Sequence, residues 1–136
     1  MDFSLNEEQT AIAELASQVL TDNSTNESLR TLERADGPRF DRALWAQLAE
    51  TGILGAFVPE SAGGAGLDLV ALGGVLEAAG RTAAAVPLWE TLGLGVPAVA
   101  QFAPAELAGE LLGAVAAGEC VLTAAWHEEG GEPLSP

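Results

Sequence analysis

The chain contains no lysine and no tyrosine, and its five basic residues are all arginines. Twenty acidic residues outweigh them, so the formal net charge of the 136 residues is -15 at pH 7. Nucleic acid and anionic membrane surfaces repel a chain of this charge. We therefore expect neither as a partner, and we interpret the acidic residues as a solvated surface.

Cysteine is nearly absent as well. Cys120 is the single cysteine, which excludes a disulfide within the chain and a cysteine-based zinc site, and we expect a cytoplasmic location. The start MDFSLNEEQ lacks the basic and apolar regions of a secretory signal. Residues 83–103 carry only one charge, on Glu90, but Pro87 and Pro97 interrupt them. We therefore expect a buried helix there and no membrane insertion.

Residues 58–81, VPESAGGAGLDLVALGGVLEAAGR, contain the most prominent glycine cluster. A P-loop needs a lysine and a dinucleotide fingerprint needs G-x-G-x-x-G after a strand, so neither pattern is met. Asp68 in the first turn of the following helix would also compete with a bound anion. The cluster is interpreted as a turn in which glycines allow unusual φ angles before a helix.

Metal and nucleophile sites are not indicated. His127 is the only histidine, and Glu128, Glu129 and Glu132 near it lie in a Gly- and Pro-containing segment. One imidazole with exposed carboxylates is a poor metal cage, and a single histidine gives no identifiable Ser-His-acid arrangement. We expect no metal site and no self-contained active site in this chain.

The apolar periodicity predicts an all-α fold of about five or six helices. Ser4 and Glu7 form a capping-box pattern, residues 21–28 are polar and predict a loop, and residues 53–58 are expected to be a buried extended segment. From residue 120 the pattern changes to that of a strand. We assign 1–118 to an α-helical domain and 119–136 to the start of a β-domain or a disordered tail. The expected helices cover residues 5–20, 29–35, 40–52, 67–80, 86–102 (with Pro97 kinking or splitting it) and 104–118.

Two tryptophans have different environments in the sequence. Trp45 falls on an apolar helical face and is expected in the core. Trp89 stands beside Glu90 within an apolar stretch, which indicates either an exposed face or the wall of a pocket. The pattern slightly favours exposure.

The order of these segments resembles the N-terminal α-helical domain of the acyl-CoA dehydrogenase family. The resemblance rests on MDFSLNEEQTAIAELA and on LWAQLAETGILGAFVPESAGGAGLDLVALGGVLEAAGR, and it runs from about residue 2 to residue 126. It implies an FAD-dependent enzyme of three domains that removes two hydrogens from the α and β carbons of an acyl-CoA thioester. It also implies that the catalytic base and most flavin contacts belong to later domains, so this chain alone should be inactive.

The resemblance further implies site residues. By position, the helix after Gly80 and Arg81 supplies part of the wall around the acyl chain, which makes Val86, Trp89, Glu90 and Gly93 the expected substrate contacts. Near the flavin the family has a Thr-Glu-Pro turn, where this chain has His127 and two glutamates after Trp126. We expect Trp126 and His127 to lie at the flavin, with a departure from the family's usual contacts.

The sequence is compatible with three hypotheses for the function. The chain is the N-terminal part of a dehydrogenase, or part of a non-catalytic partner subunit in a heteromeric dehydrogenase, or a free-standing helical interaction module. The resemblance implies a homo- or hetero-oligomer of dehydrogenase subunits in the first two cases. It also implies bulky or steroid-like acyl groups, besides fatty acids, as substrates for paired subunits. The strand-like ending argues against the third.

Overall fold

A computed structural model describes residues 4–125, and within this range the chain is all helical. The α-helices are α1 (Glu7–Asn23), α2 (Asn26–Arg34), α3 (Arg42–Glu50), α4 (Ile53–Ala56), α5 (Leu69–Thr82), α6 (Val96–Phe102) and α7 (Ala105–Ala116). A 3₁₀ turn (Glu60–Ala62) precedes α5, and a π-helical segment (Trp89–Gly95) runs directly into α6. The all-α fold class is thereby confirmed.

Helix α1 begins two residues later than the sequence pattern predicts. Asn6 is the N-cap, its side chain accepts a hydrogen bond from the Gln9 N–H at 2.8 Å, and the Gln9 side chain accepts from the Asn6 N–H at 3.0 Å. The prediction of Ser4 and Glu7 as the capping box was therefore wrong. Asn followed three residues later by Gln supplies the same reciprocal caps.

The predicted loop over residues 21–28 is reduced to two residues. Helix α1 continues through Asn23, whose side chain donates to the Val19 carbonyl at 2.7 Å, and α2 starts at once with Thr25 as its N-cap. Polar turn formers can also cap helices. This stretch therefore joins two helices with almost no linker.

Residues 53–58 correct another prediction, because their first part forms the helical turn α4 and not an extended segment. Gly52 adopts a left-handed conformation with φ of 79°, and the Ala56 N–H donates to the Gly52 carbonyl at 3.0 Å. A continuous apolar run contains no periodicity that separates a buried strand from a buried helix. The neighbouring helix α3 ends at Glu50, and Gly52 is the left-handed glycine that follows its C-cap, which agrees with the predicted stop.

The glycine cluster after α4 folds back on it. The N–H groups of residues 63–67 donate to the carbonyls of Glu60, Pro59, Gly55, Val58 and Ala56, at 2.9 to 3.1 Å. A Cβ added at Gly64 would lie 2.5 Å from the Val58 carbonyl carbon and 2.6 Å from the Gly55 oxygen. Only glycine fits there, because the close neighbours are backbone atoms.

Helix α5 packs along α1, with the two N-termini at the same end. The Asp68 carboxylate caps α5 by accepting from the Ala71 N–H at 2.9 Å and also accepts from the Gln9 side-chain amide at 3.0 Å. Further along, a Cβ on Gly74 would lie 2.8 Å from the Ala13 methyl group. Small residues therefore set a close approach between these two helices.

The core is continuous from α1 to α7, and it includes Trp45, which is 3% exposed, as predicted. Residues 120–125 have no regular secondary structure, and no strand occurs among residues 4–125. The division at residue 118 stays a prediction. Within the described part of the chain, no helix has the length and apolarity needed to cross a bilayer.

Candidate functional site

The predicted helix over residues 86–102 consists of a π-helical segment followed by the α-helix α6. Most of the predicted site residues lie on the π-helical segment. Residues Trp89–Gly95 are π-helical, with the Val96 N–H bonded to the Thr91 carbonyl five residues back. Pro97 at the start of α6 has no N–H to continue the α-helical ladder backwards. π-Helical turns are rare and frequently mark functional sites.

Trp89 and Gly93 form one unit on the outward side of this segment. Trp89 is 53% exposed, which confirms the predicted exposure. A Cβ on Gly93 would lie 2.5 Å from Cε3 and 2.7 Å from Cζ3 of the indole. The ring therefore rests on the backbone at Gly93, and any side chain at that position would displace it.

Val86 and Glu90 lie beside that unit. Both line a cavity of about 710 Å³ that also includes Phe40 and the basic residues Arg39 and Arg42. Both also line a second cavity, of about 570 Å³, in which Trp89 takes part. The structure thus brings the four predicted substrate contacts, Val86, Trp89, Glu90 and Gly93, onto one short stretch bordered by two open cavities.

The inward side of the π-helical segment was not foreseen. Thr91 is fully buried, and its hydroxyl donates to the Leu122 carbonyl at 2.9 Å. A Cβ on Gly95 would lie 3.0 Å from the Leu122 carbonyl carbon. A lone threonine within the apolar run was the only signal in the sequence, and it does not name a partner 31 residues away.

A larger apolar groove was also missed by the sequence reasoning. It measures about 750 Å³ and lies between the start of α5 and α6, with Leu92 and Val96 in its wall. Leu69 and Val70, which are 70% and 56% exposed, stand at its rim. In the sequence these two residues look like ordinary members of the α5 apolar face.

The glycine cluster does not form a cradle for a dinucleotide cofactor. All five N–H groups of the glycine cluster, at residues 63–67, already donate to carbonyls, so none is left for a phosphate. The predicted flavin contacts Trp126 and His127 lie outside the described residues. Within residues 4–125 there is also no group of three or more metal-ligating side chains.

Comparisons with known proteins find relatives over nearly the whole chain. Residues 6–119 match the family described as acyl-CoA dehydrogenase, N-terminal domain. Acyl-CoA dehydrogenase FadE27 of Mycobacterium tuberculosis is 36% identical over 132 residues, which are 97% of this chain and 35% of that protein. Acyl-CoA dehydrogenase FadE28 of the same organism is 35% identical over 130 residues, or 96% and 32%. The chain thus spans about a third of the length of these relatives.

Two solved structures are similar over nearly the whole chain. The ChsE4-ChsE5 complex from Mycobacterium tuberculosis superimposes with a TM-score of 0.88 at 36% identity, covering 97% of this chain and 36% of the other. A variant of the Tcur3481-Tcur3483 steroid ACAD gives a TM-score of 0.76 at 44% identity, covering 93% and 34%. Both names describe assemblies of two different proteins.

Proposed function

The chain belongs to the acyl-CoA dehydrogenase family as an N-terminal helical domain, and from this premise we propose that it forms part of an acyl-pocket wall. The complete protein would be an FAD-dependent dehydrogenase that introduces a double bond between the α and β carbons of an acyl-CoA thioester. The catalytic base would come from another domain or subunit. This chain alone would therefore bind and orient without catalysing.

The half-exposed indole of Trp89 carries this proposal. Its ring packs against the backbone at Gly93, and Val86 and Glu90 line the two neighbouring cavities. Covering a half-exposed aromatic surface at the edge of a cavity with an apolar ligand is favourable in free energy. The wall would consist of these four residues, with Trp89 as its main contact.

Similarity to two heteromeric complexes supports a hetero-oligomer. The ChsE4-ChsE5 and Tcur3481-Tcur3483 names each join two proteins, and the second is called a steroid ACAD. We therefore favour an assembly of paired dehydrogenase subunits and a bulky, steroid-like acyl group as substrate. Within it the chain is part of either the catalytic or the partner subunit. The proposal retains the cytoplasmic location inferred from the single cysteine.

FAD enters this proposal through the family, because the N–H groups of the glycine cluster are already used within the fold. When bound, the flavin would accept the hydride that leaves the β carbon. Trp126 and His127 are assigned to it by position in the family pattern. The contribution of the described residues is limited to the wall and to the segment 120–125 that precedes those two positions.

Replacement of Trp89 by alanine in the assembled dehydrogenase tests the wall. Loss of a buried aromatic contact costs about 1.5–3 kcal/mol, or roughly tenfold to a hundredfold in kcat/KM. We expect that loss for a bulky acyl-CoA and less than a threefold change, as a rough limit, for a short-chain acyl-CoA. Steady-state kinetics with the two substrates measure the difference.

The matched control is Phe102→Ala, because Phe102 is also an aromatic residue and is 78% exposed, but it lies at the other end of α6. It should leave both substrates unaffected. Equal losses for both substrates with Trp89→Ala would show that Trp89 is only structural. No loss with either substrate would show that Trp89 does not contact the acyl group and would contradict the proposed wall.

A further inference from the structure

Thr91 is a polar residue buried among apolar ones, and one partner satisfies it. Its side chain is 0% exposed, and its hydroxyl donates to the Leu122 carbonyl at 2.9 Å. A buried hydroxyl without a hydrogen bond is costly. The position of Leu122 is therefore part of what makes a threonine acceptable at residue 91.

Gly95 meets the same residue from the same side of the π-helical segment. A Cβ at this position would be 3.0 Å from the Leu122 carbonyl carbon and 3.2 Å from its Cα. Residues four apart on a helix lie close together on its surface. Thr91 and Gly95 thus form a small surface against which the backbone at Leu122 packs.

The contact of Thr91 and Gly95 with Leu122 holds the segment 120–125 against the π-helical segment. The Cys120 N–H donates to the Ala114 carbonyl at 3.2 Å, at the end of α7. Beyond Cys120, the hydrogen bond from Thr91 is the only one that residues 121–125 make within the described part of the chain. Without it, residues 121–125 would be held to the rest of the described chain by packing alone.

We propose that Thr91 is a positioning residue, which fixes the segment 120–125 to the inward side of the same π-helical segment that presents Trp89 outward. The contact of Thr91 and Gly95 with Leu122, which we call the clasp, does not itself depend on the proposed function. Its consequence does rest on the proposed function: the clasp would hold the acyl-pocket wall and the chain leading toward Trp126 and His127 at a fixed position relative to each other. Thr91 would act through Leu122 and not by touching the substrate.

The single cysteine makes the clasp measurable. Cys120 is half-buried and next to the anchored segment, so a thiol reagent reports how often the segment opens. In the 136-residue chain, Thr91→Val keeps the shape and removes the donor, and we expect about a fivefold faster labelling of Cys120, as one net hydrogen bond predicts. Thr91→Ser keeps the hydroxyl and should stay within about twofold of the unsubstituted chain.

Urea separates the clasp from a general loss of stability. Local opening exposes little surface, so the faster labelling of Thr91→Val should not depend on low urea concentrations. Val19→Ala is the control, because Val19 is buried in α1 away from the clasp. Its labelling should accelerate only through global unfolding and should therefore rise steeply with urea.

Gly95→Ala gives a second, independent variant in case Thr91→Val lowers the helix content measured by circular dichroism. It retains the hydroxyl but pushes Leu122 away, so it should also accelerate labelling. The proposal is overturned if Thr91→Val labels at the rate of Thr91→Ser, if its acceleration rises with urea as in Val19→Ala, or if neither Thr91→Val nor Gly95→Ala labels faster. A failure of the acyl-pocket proposal would show only in the kinetics of Trp89→Ala.

Discussion

The glycine cluster and the π-helical segment both depend on glycines that other atoms approach closely, but the approaching atoms differ. At Gly64 they are backbone atoms of Val58 and Gly55, locked by hydrogen bonds to residues 65 and 66. At Gly93 they belong to the indole of Trp89, a side chain that is 53% exposed. The first region is a closed structure, and the second has a ring free to move outward.

The glycine cluster carries the family's sequence signature, whereas the π-helical segment carries the residues that we propose to contact the acyl group. The motif VPESAGGAGL carries much of the family resemblance, yet the amides of its glycine cluster, residues 63–67, are all used within the fold. The π-helical segment has a less specific sequence pattern and presents an aromatic surface between cavities. A recognisable glycine motif is thus a structural signature here, and the site lies elsewhere.

The largest expected effect is that of Gly64→Ala. A methyl group there collides with the carbonyl carbon of Val58 and the carbonyl oxygen of Gly55 and would separate the glycine cluster from α4. We expect a loss of at least about 3 kcal/mol in the free energy of unfolding, a magnitude typical of severe core strain. Urea denaturation followed by circular dichroism measures it.

Gly73→Ala is the control for that loss, because a Cβ at Gly73 meets no described atom within 4 Å. It lies inside α5, where alanine is the better helix former, so a gain of up to about 1 kcal/mol is expected. If Gly64→Ala were as harmless as Gly73→Ala, the closed description of the glycine cluster would be wrong.

Helix caps, apolar spacing and glycine stops were enough to predict a helix where all of them indicated the same structure. Asp41, the apolar spacing of Leu44 and Leu48, and Gly52 together predict α3, and the structure has all of them in those roles. The secondary structure of residues 21–28 could not be predicted in the same way, because Asn, Ser and Thr are common both in loops and at helix caps. The apolar run 53–58 lacked the periodicity to indicate its helical turn.

The site was less accessible to sequence reasoning, for a physical reason. Trp89 was expected to be exposed because an acid follows it, and it is. The inward side of the π-helical turn contacts Leu122, and nothing near Thr91 in the sequence indicates a carbonyl partner 31 residues later. Residues whose partners are distant in sequence are invisible to patterns of local spacing.

A smaller effect is expected from Asp68→Ala, which tests how the closed region is tied to α1. The carboxylate caps α5 and also accepts the Gln9 side-chain amide. Removing an N-cap side chain costs about 0.5–2 kcal/mol, and the change should appear in thermal unfolding. Asp68→Asn retains an acceptor for the cap and should lose less. Equal losses would mean that the capping oxygen is not what stabilises this corner.

The smallest effect on stability is expected from Gly93→Ala, and it completes the comparison with Gly64. The added methyl displaces the indole of Trp89, but the ring is half in solvent and can swing outward at little cost. The gain in helix propensity, about 1 kcal/mol, offsets the lost ring contact, so the free energy of unfolding should change by less than about 1 kcal/mol. The fluorescence emission should nevertheless shift to the red, because Trp89 becomes more hydrated while Trp45 stays in the core. A loss as large as that of Gly64→Ala would show that the indole is held as rigidly as a backbone carbonyl, and the distinction between the two regions would fail.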